Sequence, residues 1–127
     1  MEEQPFQFCH ALWWCGPEVA RRIQACVRGV DLVARFGGEE FIVLLYNTTE
    51  EGAQIVAEDI RDKISSSVIT NDGIDTAVTA SMGVAAIIPC ENADPVELIE
   101  LADKAMYQAK KEGRNKVIKA SSLFDNS

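Results

Sequence analysis

The chain has 127 residues, 47% of them hydrophobic, which is one domain's worth and enough for a single core without disulfide or metal staples. Its formal net charge of −8 opposes general binding to DNA or RNA, because that affinity comes largely from Lys and Arg displacing counterions along the phosphate backbone. No stretch approaches the length of a membrane span, the N-terminus has acids where a secretory signal has basic residues, and Cys9, Cys15, Cys26 and Cys90 lack paired CxxC spacing, so a cytoplasmic domain with reduced thiols is expected.

Met1 to Cys15 crowds Phe6, Phe8, Trp13 and Trp14 among two cysteines and His10, and Phe6, Phe8, His10 and Leu12 alternate as in a strand. Nothing near His10 completes a metal set, so it is given no role. Gly16-Pro17 then opens a predicted helix, with Val19, Ile23, Cys26, Val27 and Val30 on one face and Gly29 as its end. Leu32 to Phe36 and Phe41 to Tyr46 are short apolar strands joined by Gly37-Gly38 and the acid pair Glu39-Glu40, the pattern of a hairpin. Thr48 with Glu51 three residues on has the form of a capping box, and Ala53, Val56, Ala57, Ile60 and Ile64 make the apolar stripe of a second helix.

Asn71-Asp72-Gly73 is a turn signal, and Thr76 to Ile88 alternates as a strand that Pro89 stops. Asp94-Pro95-Val96-Glu97 combines an N-cap, a first-turn Pro and a capping acid, and Leu98, Ile99, Ala102, Ala105, Met106 and Ala109 form the core face of a last helix closed by Gly113. Asn115 to Lys119 adds a short strand, and Ala120 to Ser127 is expected to fray. This order describes an α/β sandwich, with helices packed on a mixed sheet.

Three groups of residues invite chemistry. At the hairpin tip, Gly37 and Gly38 let backbone approach a phosphate, but Glu39 and Glu40 would repel it unless a hard divalent cation lay between them. The residues alone leave a metal–nucleotide site and a solvated turn as alternatives. Lys110 and Arg114, four apart at the end of the last helix, either contact nucleotide phosphates from one face or complement the helix dipole. Arg28 and Asp31, three apart before the hairpin, form either a surface ion pair or a fork and carboxylate that read guanine or hold phosphate.

Gly37-Gly38-Glu39-Glu40-Phe41 resembles the signature of the GGDEF family, the bacterial diguanylate cyclases, in its Glu-for-Asp form. The resemblance covers roughly Glu18 to Lys119 and includes Arg28-Gly-Val-Asp31, Thr79-Ala-Ser-Met-Gly-Val84 and Ala102-Asp-Lys-Ala-Met-Tyr-Gln-Ala-Lys-Lys-Glu-Gly-Arg-Asn115. It implies a nucleotidyl-cyclase-like mixed sheet, a reaction of two GTP to cyclic di-GMP across a homodimer, and Mg2+ held by Glu39 and Glu40 as the catalytic and metal residues. Gly37, Gly38, Lys110 and Arg114 become nucleotide-binding residues, and Arg28 and Asp31 the inhibitory site for cyclic di-GMP. A further Arg often joins that site from the following helix, and Asp59 stands at its position.

The resemblance also marks departures. An active family member carries an Asp-x-Asp-x-Phe-Lys strand, absent here, and Gly16-Pro17-Glu18-Val19 resembles the Gly-Asp-x-Val end of a second motif with Pro17 at a guanine-binding Asp. The division expected is an atypical segment at 1–15, an N-terminally truncated GGDEF domain at 16–119 and a tail at 120–127. An impaired cyclase that binds cyclic di-GMP is the reading, with a pure receptor or dimerisation module as the alternative.

Overall fold

The computed structural model describes residues 3–9, 16–35, 40–86 and 94–124. Strand β1 (Glu3–Cys9) lies at the centre of a five-stranded mixed sheet, between β3 (Glu40–Tyr46) and β6 (Ser81–Val84). Its register runs antiparallel to β3 from Glu3 opposite Tyr46 to Cys9 opposite Glu40, and to β6 from Phe6 opposite Val84 to Cys9 opposite Ser81. Strand β1 thus pairs edges of β3 and β6 that would otherwise stay open. His10, Leu12, Trp13 and Trp14 lie outside the described residues. Strand β2 (Leu32–Arg35) pairs antiparallel with β3 at one edge, and β7 (Val117–Lys119) runs parallel to β6 at the other.

Helices cover both faces, because the strands alternate what they present to each side. Phe41, Val43 and Leu45 of β3 are buried with Met82 and Val84 of β6 against Val19 and Ile23 of α1 (Gly16–Gln24) and Ala57, Ile60 and Ile64 of α2 (Glu50–Ser65). Helix α3 (Pro95–Lys111) sits on the opposite face with a stripe of Ala102, Ala105 and Ala109. Gly83 is required there: a Cβ on it would lie 1.9 Å from the Ala102 carbonyl oxygen and 2.4 Å from the Met106 nitrogen. The small residues let helix and strand backbones touch.

Several expectations need correction. The first helix ends at Gln24 rather than Gly29, because Asp31 accepts the Arg28 backbone N–H and the segment closes its own turn instead of continuing the helix. The N-cap of α2 is Thr49, whose side chain accepts from Gly52 N at 3.0 Å, and not Thr48. Within the long strand expected over Thr76 to Ile88, Thr76 ends β5 (Ile74–Thr76), Ser81–Val84 form β6, and residues 87 and 88 lie outside the described residues. Before β6, β4 (Ile69–Asn71) and β5 form a separate hairpin, whose turn has positive φ at Asp72 and Gly73. Residues 120–124 are not frayed but form a 3-10 turn with Ala120 buried and Ser121 bonded to Glu50. No helix among the described residues is long and apolar enough to cross a membrane.

Candidate functional site

Arg28 lies four residues past the end of α1, in the turn that leads into β2, and not on the helix as the periodicity suggests. Its Nε donates to Asp31 Oδ2 at 3.1 Å and its Nη2 to Asp31 Oδ1 at 3.0 Å, a bidentate fork. Nη2 also reaches the Tyr46 carbonyl at 2.5 Å and Thr48 Oγ1 at 3.2 Å. The Asp31 carboxylate is 2% exposed and additionally accepts the backbone N–H groups of Arg28 and Tyr46, whereas the Arg28 side chain is 56% exposed. Burial alone would push the Asp31 carboxyl up; the side-chain and backbone bonds from Arg28 and the Tyr46 N–H outweigh it, and the net shift is downward. Nη1 has no acceptor among the described residues.

The pair opens on a cleft of about 230 Å³ lined by Cys26, Arg28, Asp31, Leu45, Thr48 and Val56. Asp59 is exposed on α2, and its charge reaches the cleft wall: burial first, then Asp59, pushes the Cys26 thiol up, against Lys63. Arg22, which the sequence reading passed over, anchors the two helices beneath. Its side chain is 6% exposed, pairs with Glu18 at 2.8 Å and donates to the carbonyls of Ile64 at 2.7 Å and Ser67 at 2.9 Å, so it caps the C-terminus of α2. An Arg next to Ile23 on an apolar stripe, with Glu18 four residues before it, was the available signal.

At the other end of the hairpin, Gly37, Gly38 and Glu39 lie outside the described residues, while Glu40 begins β3 half-buried. Cys9 pairs with Glu40 on one side and Ser81 on the other, and Ser81 Oγ accepts the Asn115 N–H at 3.3 Å. The sheet register therefore brings Glu40 and the segment after α3 to one end of the sheet. Lys110 is half-buried in the last turn of α3. Arg114 does not share its helical face: Gly113, Arg114 and Asn115 all have positive φ, which turns the chain away after Lys111. Among the described residues no group of three or more His, Cys, Asp or Glu side chains is arranged to hold a metal.

Strand β3 is seven residues long, so about 20 Å separates Glu40 from Tyr46 beside the Arg28 cleft. A mixed sheet covered by helices on both faces, with a glycine-acid hairpin at one end, defines a nucleotidyl-cyclase-like α/β domain. The family described as "Diguanylate cyclase, GGDEF domain" matches residues 17–116, and the chain belongs to that family. It is 46% identical over 101 residues to Diguanylate cyclase A of Treponema denticola, covering 79% of this chain and 27% of that protein. The chain spans about a quarter of the length of the curated relatives it matches.

Solved structures agree on the architecture. A delta-N mutant of TpbB (YfiN) from Pseudomonas aeruginosa comprising only the GGDEF domain superposes with a TM-score of 0.79 at 28% identity, covering 94% of this chain and 77% of that one. The GGDEF domain of DgcB from Caulobacter crescentus, in complex with c-di-GMP, has the same fold, with a TM-score of 0.80 at 24% identity, covering 94% of this chain and 78% of that one.

Proposed function

We propose that residues 16–119 act as a GGDEF domain in bacterial second-messenger signalling, holding cyclic di-GMP at Arg28 and Asp31 and impaired in making it from GTP. The observation that carries the reading is an inequality between the two ends of the hairpin. The Arg28 cleft has a fixed carboxylate, a fixed guanidinium and a donor to spare. Beside Glu40, in contrast, β1 supplies Cys9 and Phe8, neither of which is a hard oxygen ligand. Two-metal phosphoryl transfer needs carboxylates on both sides of the metal pair, and the donors among the described residues do not fit a Mg2+ pair.

On this reading Gly37, Gly38, Lys110 and Arg114 keep a role in contacting GTP phosphates, and Glu39 and Glu40 are the remnant of the metal side. Cyclic di-GMP has two guanines and two phosphates, while one Arg and one Asp serve only part of it, so a homodimer in a cytoplasmic setting completes the reading. That DgcB's GGDEF domain has been solved with c-di-GMP supports the choice of ligand.

Two measurements on the purified chain test it: product formation with GTP and Mg2+, and calorimetric titration with cyclic di-GMP. Little or no product is expected. Arg28→Ala should weaken binding about tenfold or more, since hydrogen bonds to a charged group contribute about 1.5 to 3 kcal/mol. Glu39→Ala should bind as wild type does. Robust turnover lost in Glu39→Ala, or binding lost in Glu39→Ala and kept in Arg28→Ala, would refute the assignment.

A further inference from the structure

Thr48 is released from the capping role its sequence position suggests, because Thr49 caps α2. Its hydroxyl has one proton, and that proton goes to the Tyr46 carbonyl at 2.8 Å. Toward Arg28 Nη2, 3.2 Å away, the Thr48 oxygen is therefore an acceptor. The guanidinium is planar and rigid, and its fork to Asp31 fixes one edge but leaves the plane free to hinge about that edge. Tyr46 O and Thr48 Oγ1 are the contacts that stop the hinge. A plane held in this way aims Nη1, the nitrogen without a described acceptor, in one direction.

From this we infer that Thr48 is a positioning residue for the cyclic dinucleotide, orienting Arg28 Nη1 toward a guanine edge or a phosphate oxygen at the rim of the cleft that Thr48 itself lines. The inference rests on the reading of Arg28 and Asp31 as a cyclic di-GMP site, and it adds a residue on α2's approach that neither composition nor spacing points to. Asp31 is buried and already fixed, but the Arg28 side chain is 56% exposed, and ordering it offsets part of the Coulomb gain of the pair. Thr48 and the Tyr46 carbonyl order the Arg before the ligand arrives, which lowers the ordering cost of binding.

The test is calorimetry with cyclic di-GMP on the full chain as wild type, Thr48→Val and Thr48→Ser, together with relaxation of the Arg28 Nε–Hε resonance without ligand. Thr48→Val keeps the shape and removes the acceptor, so affinity should fall about fivefold, less than on loss of Arg28 itself because the Tyr46 carbonyl still holds the guanidinium, and the Arg28 signal should become more mobile. Thr48→Ser should restore both. Wild-type affinity in Thr48→Val, or reduced affinity with an Arg28 signal as rigid as before, would overturn the positioning role while leaving the Arg28 site standing. No binding by wild type would overturn the site itself and this inference with it.

Discussion

At one end of the β2–β3 hairpin, Arg28 and Asp31 find every described partner between Arg28 and Thr48, a continuous stretch of chain. At the other end, Glu40 starts a strand whose neighbour is β1, and the register sets Cys9 and Phe8 beside Glu40 and Phe41. The first end depends only on a turn, a strand terminus and the approach to α2. The second depends on what a central strand from elsewhere in the chain happens to carry. On the proposed reading, the first end depends little on which residues β1 carries, whereas the second end depends on them directly.

The largest blow to this comparison should come from Gly83, which lies under both ends in the central layer. Gly83→Ala places a methyl against helix backbone at 1.9 and 2.4 Å, and no rotamer change relieves that. A loss of about 3 kcal/mol or more is expected in urea unfolding, since overpacking against backbone is at the costly end of such changes. An unchanged midpoint would mean that α3 and β6 do not touch as described.

Arg22→Met is the next largest and acts through the packing of α1 on α2. It leaves the carbonyls of Ile64 and Ser67 without their donor and Glu18 without one of its partners, at a cost of about 2 to 3 kcal/mol. Because Arg22 fixes α1 against the C-terminus of α2, cyclic di-GMP binding at Arg28 should weaken together with stability. Weakened stability with wild-type binding would detach the cleft from that anchor.

What the sequence made legible follows the same division. Hydrophobic period and turn chemistry located the hairpin, both long helices, the Asp94 cap and the Asn71-Asp72-Gly73 turn, because each is decided within a few residues. Arg28 and Asp31 were readable as a pair for the same reason. The alternation of Phe6 and Phe8 marked a strand, but the central place of β1 is settled by long-range pairing. Arg22 was missed because its acceptors are 42 and 45 residues away, and Thr48 because its hydroxyl is engaged across 20 residues. Arg114 was misplaced onto a helical face because two non-glycine residues in positive φ after Gly113 have no strong local signature.

Asp59→Arg sharpens the comparison by adding to the end that is already equipped. The Asp59 charge reaches Cys26 on the cleft wall, so an anionic dinucleotide entering there meets a carboxylate. Reversing the charge should tighten cyclic di-GMP binding by about tenfold at low salt, or about 1.4 kcal/mol, with the gain shrinking as salt rises. An equal gain at high and low salt would indicate a different cause.

The smallest expected effect is on acid stability, to which Glu18 of α1 and Asp31 of the Arg28 cleft both contribute. Glu18 is drawn down from 4.5 to about 2 by hydrogen bonds from Arg21 and Arg22, which exceed the opposing effect of burial. Asp31 shifts the same way: burial raises it, but the bonds from Arg28 and Tyr46 prevail. A carboxyl whose folded pKa lies below its unfolded value contributes stability that is complete above the unfolded value and is lost as pH falls through the folded one. For Glu18 that window runs from about 4.5 to about 2, and Asp31 adds to it from below the ordinary carboxylate range. Urea midpoints measured from pH 7 to pH 3 should stay level down to the top of that window and then decline, with a shallower decline in Glu18→Gln. Glu18 is partly open to solvent, so added salt should shrink its share, whereas the Asp31 share, from a side chain 2% exposed, should persist. A decline equally steep in Glu18→Gln and insensitive to salt would assign the acid response to other carboxylates and remove this distinction between Glu18 and Asp31.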